Sequence, residues 1–400
     1  MEIADNSATI SALFGSSANK SAQLGNLALR ELDKGLGQFT EKSYELAIAS
    51  FGKAIRLAPG TDTAINAYDY MARAQLSQGD TDAAIASYQK ALRIDPKRDD
   101  LHAQLGKIFT TEERYTDAVA EFELAVKNNP DAANRYSLGQ GLMAIGRLDE
   151  AKAQFELVRQ QSPKDPFGSF GLGQIYAKQA RYDFAIDAFK SAIALKSDYW
   201  DAYAEMGYAL ADSGETTSAQ DVADSLAVND EPLATALNQY LYEKSNPKML
   251  AVYASPLYAS FPSTLGPGTQ VSGLNSYLAT ANSEQTFSLV FQFSKQMDAA
   301  SIENIFNWKI ERAQGTGRAD GYNYDMTLKD TEVALVPTPQ AVYYDRDAMT
   351  ATVLFKVRQN SGANGTLDPS HINFTFSGTD VLGVKIDKSA DMYSGFSSFV

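Results

Sequence analysis

The chain of 400 residues contains no cysteine and only two histidines, His102 and His371. A protein without cysteine has no disulfide bond, no thiolate metal site and no cysteine nucleophile. Zinc sites and Ser-His-Asp triads need histidine close to further ligands or to a nucleophile. The two histidines fall in different predicted domains, and the sequence has neither a nucleophile elbow nor a Walker loop. We therefore expect no enzyme, no metal and no cofactor.

Long apolar runs are also missing. The longest apolar stretch, residues 249–261, is broken by Ser255, Pro256 and several tyrosines, whereas a membrane-spanning helix needs about 20 apolar residues. The first residues, Met1 to Asp5, are acidic where a Sec signal needs basic residues. We expect no membrane insertion. The missing Sec signal favours the cytoplasm, and export to the cell surface by a non-Sec route is the alternative.

Positive charge is scarce. The formal net charge is −14, of which −3 falls in residues 286–400 and −1 in residues 231–285, so that residues 1–230 carry −10. A negative surface repels phosphate backbones and anionic lipids. Nucleic acid is therefore not an expected partner.

An internal repeat of 33 or 34 residues dominates the first half of the chain. Aligned columns contain prolines, glycines, alanines and aromatic residues. The columns are Pro96, Pro130 and Pro163; Gly106, Gly139, Gly173 and Gly207; Ala84, Ala118, Ala151, Ala185 and Ala219; and Tyr88, Phe122, Phe155 and Phe189.

Each column fits a pair of packed helices. Leu105, Gly106 and Phe109 share one helix face, and Ala118 and Phe122 share a face of the next helix. Small residues let two helix backbones approach closely, while the aromatic residue fills the space between repeats. A glycine between the helices ends the first helix, and a proline ends the second. The period therefore predicts about six helix pairs.

These residues resemble the tetratricopeptide repeat family. The sharpest copy is Leu105-Gly106, Phe109, Tyr115, Ala118, Phe122, Ala125 and Pro130, and the resemblance covers residues 28–229. It implies an all-α right-handed superhelix whose first helices line a concave groove that binds a protein or peptide segment. The residues that the resemblance places in the groove are Asn66, Asp69, Arg73, Lys107, Tyr136, Gln140, Phe167, Phe170, Gln174 and Tyr208.

An aromatic stripe is one prediction within that groove. Tyr136, Phe170 and Tyr208 recur once per repeat, and aromatic side chains are strong anchors at interfaces. The alternative is that these rings pack against neighbouring helices or against the tail of the protein itself. The oligomeric state stays open.

The regions around the repeats have different patterns. Residues 1–27 are rich in Ser, Ala and Asn, and we expect a disordered segment. Residues 230–244 predict an amphipathic helix that caps the last repeat, because Leu233, Leu237 and Leu241 share a face. Residues 245–285, rich in Ser, Pro and Gly, predict a linker that lies partly on a domain surface.

Residues 286–400 change to a period of two, which predicts an all-β sandwich. The predicted strands are 287–294, 332–336, 352–357, 372–377 and 381–386. The stretch Phe291-Gln292-Phe293-Ser294-Lys295-Gln296-Met297-Asp298, followed by Asn307-Trp308, resembles Ig-like domains of bacterial surface proteins.

The leading functional hypothesis is a non-enzymatic scaffold or adaptor that binds a partner segment in the groove. An exported structural component of a bacterial surface, flagellum or secretion apparatus is the second hypothesis. A carbohydrate-binding β domain is the third, with Tyr322, Tyr324, Tyr343 and Tyr344 as stacking residues. A calcium site formed by Asp320, Asn323, Asp325, Asp345 and Asp347 is a further option, with turn formation by these residues as the alternative.

Overall fold

A computed structural model describes residues 6–255, 259, 261, 268–312, 330–333, 335–367 and 372–394, with side chains from residue 19 onward except at positions 312 and 394. The chain divides into two compact units, Met1–Asn238 and Gln239–Val400. Each unit has its own architecture and is described by itself.

The first unit consists of antiparallel helix pairs, which confirms the predicted all-α superhelix of about six pairs. A further helix, within which the boundary between the units falls, follows the sixth pair. The helices are α1 (Asn6–Thr40), α2 (Tyr44–Leu57), α3 (Asp62–Ser77), α4 (Thr81–Ile94), α5 (Asp99–Thr111), α6 (Tyr115–Asn128), α7 (Ala132–Ala144), α8 (Leu148–Gln161), α9 (Phe167–Lys178), α10 (Tyr182–Leu195), α11 (Trp200–Ser213), α12 (Thr216–Asn229) and α13 (Glu231–Lys244).

The turn inside each helix pair needs one residue with a left-handed backbone. Gly79, Gly146 and Gly214 supply it with φ values of 82°, 78° and 93°, as the sequence predicted. Glu113 and Ala180 take the same place in the third and fifth pairs with φ values of 58° and 55°. A left-handed residue after the first helix lets the chain reverse within a few residues. The repeat therefore tolerates a non-glycine residue here at some cost in strain.

In four of the six helix pairs an aromatic ring of the second helix lies on a glycine of the first helix, and in the second pair Ala72 takes the place of the glycine. A Cβ atom added to Gly106 would come within 2.4 Å of Phe122, and one added to Gly173 would come within 2.5 Å of Phe189. Both phenylalanines are buried. The rings occupy the volume that a side chain would otherwise take, so that the two helix backbones come close together.

The last pair lacks this aromatic ring, because Ala223 stands in its place. Leu237 of α13 takes over the contact, since a Cβ atom on Gly207 would come within 2.4 Å of its Cδ2 atom. Leu237 is fully buried. The helix that follows the repeats thus covers the apolar face that the sixth pair would otherwise expose.

The structure places residues 6–27 in helix α1 and not in the disordered segment that the composition predicted. The segment has no proline, and it continues directly into the first helix of the first pair, which is anchored by buried Ala28 and Leu32. Extending an existing helix costs far less than nucleating a new one. Composition alone therefore underestimated the helix.

The second unit contains two main antiparallel sheets. The larger sheet has the strand order β1-β3-β6-β5, the smaller has the order β4-β8-β9, and β2 and β7 form a short pair. The elements are β1 (Met249–Ala254), β2 (Thr269–Gln270), β3 (Glu284–Phe293), α14 (Ala299–Ile302), β4 (Trp308–Arg312), β5 (Ala341–Asp345), β6 (Thr350–Arg358), β7 (Thr366–Leu367), β8 (Ile372–Phe376) and β9 (Met392–Ser394).

Aromatic side chains from both sheets meet in one core. Phe291 of β3 lies with its ring centroid 5.1 Å from Trp308 of β4 and 5.3 Å from Phe374 of β8. Phe293 contacts Phe376 at 5.5 Å in the same way. These rings are buried, so the apolar face of β3 is packed across the core against the smaller sheet.

Part of the predicted linker belongs to this core. Within residues 245–285, strand β1 pairs with β3, and Phe261, Val271 and Leu278 are fully buried. Phe261 lies 5.3 Å from Phe355 and 5.7 Å from Phe287 between ring centroids. The low charge of this segment agrees with its packing inside the second unit. The prediction of a linker attributed the same low charge to a connecting segment.

Two predicted strands are wrong, and three are confirmed. The predicted strands at 287–294, 352–357 and 372–377 correspond to β3, β6 and β8. Of the described residues in 332–336, only Glu332 forms an isolated bridge, and residues 381–386 form a turn with one bridge at Lys385. There the side chain of Asp380 accepts hydrogen bonds from the backbone N–H groups of Leu382 and Val384, which favours a turn over a strand.

A buried lysine holds several acceptors together in the second unit. The Lys295 Nζ atom donates to the backbone carbonyl of Ser245 at 2.6 Å and lies 3.4 Å from the Asp380 carboxylate. It also lies 4.8 Å from the centre of the Tyr242 ring. Lys295 is 2% exposed and Asp380 is 1% exposed. The lysine therefore neutralises a buried carboxylate and satisfies the carbonyl at the end of α13.

The glycine–ring contact predicts opposite effects at two glycines. Changing Gly106→Ala drives a Cβ atom into Phe122, so we expect the free energy of unfolding to fall by about 1–3 kcal/mol. Gly37 of α1 has no atom within 4 Å of the added Cβ, so Gly37→Ala should be neutral or stabilising by up to about 1 kcal/mol. Urea denaturation followed by ellipticity at 222 nm measures both. Equal losses at the two positions would contradict the packing argument.

The buried lysine yields a second prediction. Replacing Lys295→Met leaves Asp380 and the carbonyl of Ser245 without their cation, so we expect the second unit to lose about 3–5 kcal/mol of stability. Adding Asp380→Asn removes the unpaired charge and should restore part of that loss. The measurement is urea denaturation of the full chain in a Trp200→Phe background, where the fluorescence of Trp308 reports on the second unit. If the Lys295→Met variant alone is as stable as the parent protein, Lys295 does not stabilise the second unit in this way.

Candidate functional site

The first helices of successive pairs carry one column of polar residues next to the small-residue column. Arg73, Lys107, Gln140, Gln174 and Tyr208 each follow the alanine or glycine on which an aromatic ring or Leu237 packs. Arg73 and Lys107 are exposed, and the other three are half-buried. The repeat therefore places one of these side chains at the same helix position in five successive pairs.

At the start of this column a salt bridge occupies two of the predicted residues. Arg73 donates from Nε and Nη2 to the two carboxylate oxygens of Asp69 at 2.8 and 2.9 Å. The guanidinium also lies 5.2 Å from the centre of the Tyr70 ring. Asp69 is buried, and Asn66, one turn earlier, is exposed. Arg73 is thus already paired, and a partner would have to compete with Asp69 for it.

In the middle of the column the polar side chains contact one another. The Gln140 amide donates to the Tyr136 hydroxyl at 2.9 Å and to the Gln174 carbonyl oxygen at 3.2 Å. Glu205 of α11 has a pKa above its ordinary value because burial penalises the carboxylate, and Gln174 acts in the opposite direction. Burial also raises the pKa of the Tyr136 hydroxyl. Hydrogen-bonded side chains therefore link α7 to α9.

The predicted aromatic stripe is only partly exposed. Phe170 is 6% exposed, and its ring packs 4.8 Å from Tyr199 and 5.8 Å from Phe189. It is therefore a core residue and offers no surface to a partner, because the three-residue spacing from Phe167 turns it toward the second helix. Tyr136 and Tyr208 are half-buried.

The exposed ring of this region is Phe167, at the start of α9. It is 42% exposed and lies 5.3 Å from Tyr136 and 6.0 Å from Tyr199 between ring centroids. Tyr199 directly precedes the first residue of α11, so the helical periodicity of the sequence does not include it among the groove residues. Its position at the helix start, one repeat after Pro166, was the available signal.

A cleft of about 560 Å³ opens between α5 and α7. Lys107, Thr110 and Thr111 of α5 form one wall, and α7 forms the other. Phe122 of α6 lies at its base, and Lys178 of α9 reaches its edge. The remaining lining residues are Tyr136, Ser137, Gln140, Gly141, Met143 and Ala144. Its volume lies in the range of pockets that hold small ligands or peptide side chains.

The wall that α7 contributes to the cleft includes the small residues Ser137, Gly141 and Ala144. The residues at the position of Gly141 in the neighbouring repeats are Ile108 and Ile175, both buried. A Cβ atom on Gly141 would lie 3.2 Å from Phe122, so the side chains of α6 already fill the space beside this glycine.

Comparisons with known families agree with this geometry. Models described as "TPR repeat" and "Tetratricopeptide repeat" match residues 72–111 and 136–200. The chain carries tetratricopeptide repeats. No curated protein matches the chain. The second unit has no family match to an Ig-like domain.

Several solved structures are similar to the chain over about half of its length. YrrB, titled a TPR protein with an unusual peptide-binding site, is 22% identical, with a TM-score of 0.39 over 47% of this chain and 97% of its own. A tetratricopeptide repeat protein from Parabacteroides merdae is 17% identical, with a TM-score of 0.49 over 55% and 90%. PilW, a type IV pilus biogenesis factor, is 17% identical, with a TM-score of 0.45 over 54% and 98%.

The remaining candidate sites are only partly covered by the described residues. Asp320, Asn323, Asp325, Tyr322, Tyr324 and His371 lie outside them. Asp345 accepts hydrogen bonds from the backbone N–H groups of Asp347 and Ala348, which is the turn-forming alternative. Tyr343 is exposed, and the Tyr344 hydroxyl accepts a hydrogen bond from the N–H of Met297. The described residues contain no group of three or more His, Cys, Asp or Glu that could hold a metal ion.

His102, one of the two histidines, is buried. Its two ring nitrogens lie 2.6 Å from the Glu121 carboxylate and 3.1 Å from the carbonyl oxygen of Pro96. The side chain therefore ties α5 to α6 and to the turn before α5. Across the described residues, none of the helices is long and apolar enough to span a membrane.

The two phenylalanines of α9 allow a direct test of which ring is core and which is surface. Phe170→Ala removes a buried ring, so we expect a loss of about 3–5 kcal/mol in the free energy of unfolding. Phe167→Ala removes a ring that is already 42% exposed, so we expect a loss of about 1 kcal/mol or less. Urea denaturation at 222 nm gives both values. Similar losses for the two variants would show that Phe167 is also a core residue.

Proposed function

We propose that the repeat unit is a non-enzymatic scaffold that binds a peptide segment of a partner protein along the first helices, with the cleft between α5 and α7 as its anchor pocket. The observation that carries this proposal is the cleft itself, a cavity of about 560 Å³ on the helices that line the groove in tetratricopeptide repeats. Binding pockets are mostly apolar, with a few polar groups that fix orientation. The residues that line the cleft include both apolar and polar side chains.

The surroundings of the cleft supply the contacts that a peptide needs. Phe167 offers an exposed ring beside Tyr136. Gln140 and Gln174 present amides in successive repeats, and amide groups bind both the N–H and the C=O groups of a peptide backbone. An apolar anchor in a pocket with polar contacts around it is the usual organisation of an interface.

A steric block tests this proposal. Ala144 is exposed at the edge of the cleft, so Ala144→Trp should fill the space without entering the core. The matched control is Ala120→Trp, an exposed alanine of α6 that is not among the cleft residues. Peptides are selected on the purified full chain from a phage-displayed library of random dodecamers, and their affinities are measured by fluorescence anisotropy. We expect Ala144→Trp to weaken binding at least about tenfold, since it removes the anchor contact.

Two results would overturn the scaffold proposal. One is a library that yields no peptide with saturable binding. The other is a set of peptides that bind the Ala144→Trp and Ala120→Trp variants equally well, which would place the binding surface elsewhere. Ellipticity at 222 nm checks that both variants keep the helical fold.

We further propose that the second unit is an Ig-like domain. Support comes from two antiparallel sheets around one core and from the buried positions of Phe291, Phe293 and Trp308 in the stretch that carries the resemblance. Lys295 of the same stretch is bound to Asp380, and the Trp308 indole donates to the carbonyl of Ile302 at 2.8 Å. These contacts explain why phenylalanine, tryptophan and lysine occur at these positions of the stretch.

A further inference from the structure

We infer that the partner segment is basic, and that one of its Arg or Lys side chains stacks on the ring of Phe167 and pairs with Asp201 and Glu205 of α11. This inference rests on the proposed function, that a peptide binds along the first helices, and it names the chemical class of that peptide. Its evidence is the exposed ring of Phe167, the groove face of α11 and the distribution of charge in the repeat unit.

The negative charge of the repeat unit is concentrated at its last helix pair. Residues 1–230 carry a net charge of −10, and residues 197–230 hold eight Asp or Glu and no Lys or Arg. Residues 1–196 therefore carry a net charge of only −2. The sixth pair, α11 and α12, lies within the acidic stretch. Its potential attracts a cationic segment and repels an anionic one.

Two of these acids lie on the helix that continues the groove. Asp201 and Glu205 are one turn apart on α11, and the groove residue Tyr208 follows on the same helix face. Asp201 is exposed and Glu205 is half-buried. Asp201 stands 34 residues after Phe167, so it has the same position in α11 that the phenylalanine has in α9. The two helices contact each other, so the carboxylates and the exposed ring belong to neighbouring first helices.

The carboxylates also act on the two tyrosines beside Phe167. The Tyr136 and Tyr199 ring centroids lie 5.3 and 6.0 Å from that of Phe167. Burial raises the pKa of both tyrosine hydroxyls, and the charges of Asp165 and Asp201 raise the pKa of each further. Carboxylates that act on the rings at both sides of Phe167 place its exposed surface in a negative potential.

Other rings of the repeat unit already hold cations. The Arg114 guanidinium lies 4.3 Å from the centre of the Phe109 ring, and the Lys196 Nζ atom lies 5.3 Å from the centre of the Tyr199 ring. Phe167 is 42% exposed, and no Lys or Arg of the described residues lies over its ring. The face of an aromatic ring attracts a cation. On Phe167 this place is open to a cation of the partner.

The lysines of the groove determine where the basic residue of the partner lies. Lys107 and Lys178 line the cleft between α5 and α7, which is therefore unfavourable for a second cation. Burial raises the pKa of Glu205, and Lys178 opposes that effect from its place at the end of α9. The groove thus has a positive region at the cleft and a negative region on α11. The segment places an uncharged side chain in the cleft and its basic side chain beside α11.

This arrangement favours arginine and sets a spacing along the peptide. A guanidinium group can stack on a ring and donate two hydrogen bonds to a carboxylate at the same time. Neighbouring packed helices are about 8–10 Å apart, so the cleft and the space between α9 and α11 are about 20 Å apart. An extended chain covers that distance with about six residues. The expected ligand is a segment with an apolar residue and an Arg or Lys about six positions away.

Neutralising the two carboxylates tests the inference. The dodecamers selected on the full chain should be enriched in Arg and Lys. We expect Asp201→Asn combined with Glu205→Gln, which keeps both shapes, to weaken their binding at least about tenfold in fluorescence anisotropy. The matched control is Asp221→Asn combined with Asp224→Asn, two exposed acids of α12 that give the same net charge. This control should change affinity less than about twofold, because α12 is a second helix.

Two variants of Phe167 test the stacking. Phe167→Leu keeps an apolar side chain but removes the aromatic face, so we expect binding to weaken about two- to fivefold. Phe167→Trp keeps an aromatic face and should bind at least as tightly as the parent protein. Ellipticity at 222 nm checks the helical fold of every variant. Equal affinities of the leucine and tryptophan variants would show that no cation stacks on this ring.

The results separate this inference from the proposed function. If Ala144→Trp weakens binding and the Asp201 and Glu205 variant does not, the groove function stands and the basic class is wrong. Peptides enriched in Asp or Glu would also show that the class is wrong. If the variants of α11 and α12 weaken binding equally, the effect is one of net charge, and the pairing with Asp201 and Glu205 is wrong. If the library yields no binding peptide, both proposals fall.

Discussion

The contact between an aromatic ring and a glycine of the preceding helix is the constraint on which the repeat unit depends. Phe122 on Gly106 and Phe189 on Gly173 bring each pair of helices within a distance that any side chain at the glycine would prevent. Since most pairs use this contact and the sixth pair replaces the ring with Leu237, the pairs stack with similar spacing and the first helices align. The column of polar side chains that runs through Lys107 and Gln140 follows from that alignment.

The same constraint explains what the sequence could predict. A period of 33 or 34 residues is visible because the glycine, alanine and aromatic columns each have a packing reason, so the helix pairs and the left-handed turns at Gly79, Gly146 and Gly214 were predictable. The direction in which an individual side chain points from its helix was harder to predict. Phe167 and Phe170 stand three residues apart at the start of α9, yet one is 42% exposed and the other 6%. Phe170 is buried because its ring packs against both Phe189 and Tyr199. This packing cannot be predicted from the spacing of the two phenylalanines in the sequence.

The segments without a period were the hardest to predict, for a different reason. Residues 245–285 have the composition of a linker, but Phe261 and Leu278 are buried in the core of the second unit. A segment that enters a core at isolated positions leaves no repeated pattern in the sequence. Residues 6–27 have the composition of a disordered segment, yet they extend α1. In both cases long-range packing or continuity with a neighbouring element outweighed local composition.

The cleft lies beside a helix whose packing differs from that of its neighbours. In α5 and α9 the position of Gly141 holds Ile108 and Ile175, both buried. A Cβ atom on Gly141 would lie only 3.1 Å from Val119 and 3.2 Å from Phe122, so α6 packs directly against α7 at this point. A larger residue at this position would have to push α6 away from α7, because a packed interior has no room for further atoms. The close contact between α6 and α7 therefore requires the glycine, although the same position tolerates isoleucine in the neighbouring repeats.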